Sequence, residues 1–177
     1  MGLLSRWRRH RLPADAYREF EPGEHVVAWA PHERGYLVAT TRGLWLPDFA
    51  ERLGWHEIHK ATWTGQELTI LPSRQVSEAG SGPDAPADVV ADAEPALFRL
   101  SDPGELPHEV RVRVTRSVVY SQHHELPNGG VRVLGRRVPG RDGVSFQLRY
   151  DPGTALAGAD HELVTELVTQ ARESLEG

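Results

Sequence analysis

The segment GWHEIHKATW, residues 54–63, gathers His56, Glu57 and His59 within four positions. A zinc-hydrolase helix needs two histidines four apart, with a glutamate directly after the first, so that both imidazoles share one helix face. Here the spacing is three. Trp55 and Trp63 bracket the segment, which reads better as a strand. In an extended chain Trp55, Glu57, His59, Ala61 and Trp63 leave on one side, and His56, Ile58, Lys60 and Thr62 on the other. Two histidines on opposite faces cannot chelate one ion, so no metal site is expected. Ile58 sits opposite the tryptophans, which predicts a bulge or a strand buried on both sides near one end.

Other groups with catalytic potential are scattered. Glu57 and Glu67 would do acid–base work only if they converged on one cleft. His123, His124 and Glu125 adjoin one another at a strand end, where neighbouring side chains diverge. Gly80-Ser81-Gly82 lacks the spacing of a nucleophile elbow, since position 79 is alanine. No phosphate loop, dinucleotide fingerprint or aspartate-rich metal motif is present. A triad assembled in space stays open. These observations favour a non-enzymatic protein with no catalytic residues and no cofactor. The alternative is a small hydrolase or lyase using His123 or His56 with nearby carboxylates.

Arginine offers more. Lys60 is the single lysine among 20 basic residues. Arg111, Arg113 and Arg116 cluster in one segment, and Arg132, Arg136 and Arg137 in another, with Arg141 and Arg149 close by. Guanidinium forks suit phosphate or carboxylate. These six residues are the candidate binding surface, for a protein partner or an anionic membrane. The acidic stretch 78–94 is the internal alternative partner, which would make the patch structural. Nucleic acid fits worst, because the net charge is −5 and the aromatics read as core residues. At the N-terminus Leu3, Leu4 and Trp7 lie among Arg6, Arg8, Arg9 and Arg11, a candidate membrane-contact turn.

The elements that would position these groups are mostly strands. At 39% hydrophobic and 25% charged, the composition is that of a globular domain. The absence of cysteine excludes disulfides and thiolate chemistry and fits a reducing compartment. No secretory h-region and no membrane-length apolar run exist. A cytoplasmic protein is expected, with a peripheral place at the inner membrane face as the extension of that reading.

Residues 1–22 read as a basic tail and 23–177 as one domain. EHVVAWA, GYLVATT, RGLWLP, the opening segment and QELTILP follow at close spacing, which predicts an antiparallel meander. Residues 77–95 read as an acidic Pro/Gly/Ala-rich loop insertion. ALFRLSD resumes the strands. Asp102, Pro103 and Glu105 form a helix-start signal, for a helix over 104–116 followed by a strand over 117–126. GVRVLGRRV and VSFQLRYD form a hairpin. Asp160 caps a final helix with a stripe of Leu163, Leu167, Ala171 and Leu175, broadened by Val164 and Val168.

The order of VVAWA, LVATTRGLWL, GWHEIHKATW and LTILP, then RVTRSVV and VRVLGRRVPG, resembles an uncharacterised family of small actinobacterial proteins. Their first half is similar to a bacterial pleckstrin-homology-like (PH-like) split barrel. The likeness covers nearly the whole chain after residue 23 and rests on Trp and Gly landmarks of a β core. It implies an α+β fold: an antiparallel PH-like barrel or half-barrel closed by one helix, here elaborated with further strands and a C-terminal amphipathic helix. It also implies a binding platform for lipid headgroups, membranes or protein segments.

Overall fold

The computed structural model describes residues 11–76, 87–154 and 158–176. Leu3, Leu4 and Trp7 lie outside the described residues. The protein is α+β, and it divides into two compact units where composition pointed to one domain. The first comprises the chain up to Pro72 with Glu94–Arg116, the second Ser73–Ala93 with Ser117–Gly177.

In the first unit, β1 (Val26–His32), β2 (Gly35–Thr40), β3 (Gly43–Trp45) and β4 (Leu53–Gly54) form an antiparallel meander. A second antiparallel set follows: β5 (Ile58–Trp63), β6 (Glu67–Gln75) and β8 (Ala96–Arg99), in the order β5-β6-β8. Helix α1 (Leu106–Ser117) then closes the unit. Its Leu106, Val110 and Val114, four apart on one face, join Leu37, Leu44, Trp55, Ile58, Leu68 and Phe98 in one buried core. The expected helix and strand at 104–126 thus hold within two residues, since β9 is Val118–Leu126. Residues 102–105 form a turn ahead of the helix rather than its first turn, with Leu106 N–H donating to Pro103 O at 3.2 Å. The described part of the tail is packed: Leu12 and Ala16 are buried against Val38 and Trp45 on the other face of the first sheet.

The opening segment departs from full extension. Trp55–Glu57 is a 3-10 turn, and the strand begins at Ile58. Glu57 causes the turn to close, its carboxylate accepting the Gly54 N–H at 2.7 Å. Register shifts between Ile58 and Lys60, a bulge, one of the two readings the sequence offered. It brings Ile58 onto the same core face as Ala61 and Trp63. Trp55 is buried, and its indole N–H donates to Thr40 O at 3.1 Å.

In the second unit, residues 73–75 of β6 pair with β7 (Asp88–Asp92), followed by β11 (Ser145–Tyr150), β10 (Gly129–Arg136) and β9. Two expectations change here. Part of the presumed loop is strand β7, and β7 pairs parallel with β11, so the fold is not wholly antiparallel. Helix α2 (Gly158–Glu176) packs its Val164, Val168 and Ala171 on Val131, Val133, Phe146 and Leu148. The helix begins before Asp160, which is buried within its first turn. Leu163, at 37% exposure, and Leu175, at 41%, face solvent, so the true stripe is turned from the expected one by about one residue.

Candidate functional site

The first unit holds a groove of about 980 Å³ beside β8. Its walls come from three places. The end of β1 and the turn after it give Pro31, His32 and Arg34, the start of β6 Glu67, and β8 Leu97 and Arg99. Phe98 ties the first to the third. Its buried ring takes the His32 ring edge-on, centroids 5.5 Å apart, and lies 5.8 Å beneath the Arg34 guanidinium. Arg34 is ion-paired with Asp48, so its charge is already answered.

The groove is bordered by an open strand edge. Antiparallel partners alternate between hydrogen-bonded and non-bonded pairs. Leu100 N–H donates to Gln66 O at 2.9 Å, which makes that pair a bonded one. Two residues back, Phe98 with Leu68 and Ala96 with Ile70 must also be bonded pairs. The N–H and C=O groups of Leu97 and Arg99 therefore point away from β6. Among the described residues no strand pairs with β8 on that side. Neither Pro nor Lys blunts this edge; its Leu97 side chain is 53% exposed. The facing wall differs, since Pro31 has no N–H to offer.

The six arginines singled out from sequence do not belong to one element or one unit. Arg111, Arg113 and Arg116 are on α1. Arg113 Nε donates to Glu109 at 3.3 Å, an i,i+4 pair, while Arg111 and Arg116 are exposed. Arg132 and Arg136 are on β10 in the second unit, and Arg137 follows that strand. Arg136 is not a surface residue. It is 2% exposed, its Nη1 donates to Ser117 Oγ at 2.8 Å, and its Nε has no hydrogen-bond partner among the described residues. Burial lowers its pKa to about 10.

The histidine clusters separate as well. His123 Nε2 lies 2.8 Å from Asp151 Oδ2. His124 points to the opposite face of the sheet, and burial, then the neighbouring His123, lowers its pKa. Ser121 shares the face of His123, but its Oγ accepts from Arg132 Nη1 at 3.3 Å. The Glu57 carboxylate is engaged with the Gly54 N–H, while Glu67 lines the groove. Among the described residues no group of three or more His, Asp or Glu is placed to hold a metal ion. None of their helices is long and apolar enough to cross a membrane.

Sequence reasoning missed the groove. Its one available signal was the pair of adjacent apolar residues Leu97 and Phe98. In a strand only one of them can face the core; the other had to be exposed. Comparison with protein-family models, with curated proteins and with solved structures returns no match to this chain.

Proposed function

We propose that the protein is a non-enzymatic binding module. Its first unit is a PH-like split barrel that takes an extended peptide segment on the free edge of β8. Two successive antiparallel sheets followed by one capping helix support the PH-like reading, and the extra strands and second helix fall in the other unit. The observation that carries the binding reading is the outward-facing main chain of Leu97 and Arg99, opening into a groove. Strand addition draws affinity from such main-chain groups and specificity from the side chains beside them. The arginine-bearing hairpin is the weaker surface, because Arg136 is withdrawn from solvent.

The test is selection of linear peptides on the full chain, repeated with Leu97→Pro. This substitution removes an N–H that makes no bond within the sheet, and proline is tolerated on such an edge. Selected peptides should lose at least about tenfold in affinity, the equivalent of about 1.4 kcal/mol, with the melting temperature unchanged. Peptides that bind the variant as well as the parent contradict the assignment.

A further inference from the structure

We propose that the second unit carries an anion site centred on Arg132, suited to a phosphate group. Arg132 on β10 lies directly opposite His123 on β9 and Arg149 on β11. Three basic side chains thus stand side by side across three adjacent strands on one sheet face. Arg132 and Arg149 are like charges placed opposite one another, which costs stability, so the row needs counter-charge. The outer members have it: His123 pairs with Asp151, and Arg149 donates to Asp92. The central one does not. Among the described residues the polar partner of the Arg132 guanidinium is one neutral hydroxyl, Ser121 Oγ at 3.3 Å.

The surroundings hold this arrangement in place. A Cβ at Gly130 would press on Asp151 Oδ2 and lie 2.7 Å from His123 Nε2. The bare glycine thus leaves the room that the imidazole–carboxylate pair fills. The Thr154 hydroxyl accepts the Gly130 N–H at 3.2 Å, fixing the strand beneath them. Arg132 is half-buried and His123 exposed, so a ligand reaches the row from solvent. A guanidinium fork presents parallel donors to a tetrahedral oxyanion. A phosphate has further oxygens for the flanking His123 ring or Arg149 guanidinium; a monocarboxylate is used up by the fork alone.

The experiment titrates the full chain with inorganic phosphate at constant ionic strength and follows the His123 ring by NMR. A saturable shift of the His123 resonances is expected. Arg132→Gln should abolish it. Arg132→Lys should weaken it about tenfold, the scale of one charge-assisted hydrogen bond. Gly130→Ala, which displaces His123 and Asp151 without touching Arg132, should weaken it too, and serves if the Arg132 variants fold poorly. A second arm floats the chain with phosphatidic acid vesicles. Flotation that depends on Arg132 assigns the site to a lipid headgroup; a phosphate response without flotation assigns it to a soluble phosphate ester. An unmoved His123 ring together with no flotation, or an Arg132→Gln chain that responds like the parent, overturns the proposal.

Discussion

Each unit buries a charge whose burial the sequence did not show, Glu24 in the first and Arg136 in the second, and the two are treated in opposite ways. In the first unit Glu24 is 6% exposed and fully answered. Its carboxylate accepts from Thr40 Oγ1 at 2.6 Å, from Arg52 Nη1 at 2.6 Å, from the Glu21 N–H at 3.0 Å and from the Trp45 indole at 3.3 Å. Arg52 continues to Glu21, which is ion-paired with Arg42. In the second unit Arg136 has a serine hydroxyl. A buried ion is tolerable when paired and hydrogen-bonded, and costly otherwise. The Glu24 network in the first unit is closed on itself, pinning the residues before β1 to the β3–β4 connection. On the proposed reading, what the first unit offers a partner is main chain. Among the described residues of the second unit two cations have a hydroxyl and no acid for a partner, Arg136 inside and Arg132 at the surface.

That contrast can be broken by substitution. The largest effect is expected at Glu24→Ala, which takes the buried acceptor from Arg52 Nη1, the Trp45 indole and the Glu21 N–H and leaves the Thr40 hydroxyl only Gly43 O. It should cost about 3 kcal/mol, as removal of one partner from a buried pair does, read as a lower denaturation midpoint with unchanged slope.

Acid should reproduce part of this loss in the parent chain. Burial alone would raise the Glu24 carboxyl. The hydrogen bonds from Thr40, Glu21 and Trp45 and the Arg52 charge outweigh it and hold the carboxyl below its ordinary 4.5. A carboxylate depressed in the folded state stabilises fully above its unfolded pKa, and that stability fades as pH falls through the folded value. Denaturation midpoints should therefore drop below pH 4.5 in the parent and drop less in Glu24→Gln.

The smallest effect is expected at Arg136→Met. It removes a buried cation and keeps most of the volume, so stability should stay within about 1 kcal/mol of the parent or rise. A loss as large as that of Glu24→Ala would mean that Arg136 is as well compensated as Glu24, and the contrast would fall.

What was legible in the sequence is what local pattern controls. The meander, the helix and strand over 104–126, the β10–β11 hairpin and, as one of two readings, the bulge near Ile58 follow from spacing or turn residues. What escaped depends on partners distant in the chain. The short β7, inside a Pro- and Asp-rich stretch, is a strand because β6 and β11 flank it. The turn at Trp55–Glu57 forms because the Glu57 carboxylate reaches back to Gly54. Glu24 looked like any acid before a strand, since Arg52 lies 28 positions away. Arg136 looked like surface for the same reason: Ser117 is 19 residues upstream. The groove needed the bonding phase of β8, which the Leu100–Gln66 pair sets.

The central claim is that β8 presents an open edge, and amide hydrogen exchange on the ligand-free chain tests it directly. The N–H groups of Phe98 and Leu100 should exchange slowly and those of Leu97 and Arg99 fast, an alternation along four consecutive residues. Uniform protection across all four would mean that the edge is already paired, and the peptide-binding account would be wrong.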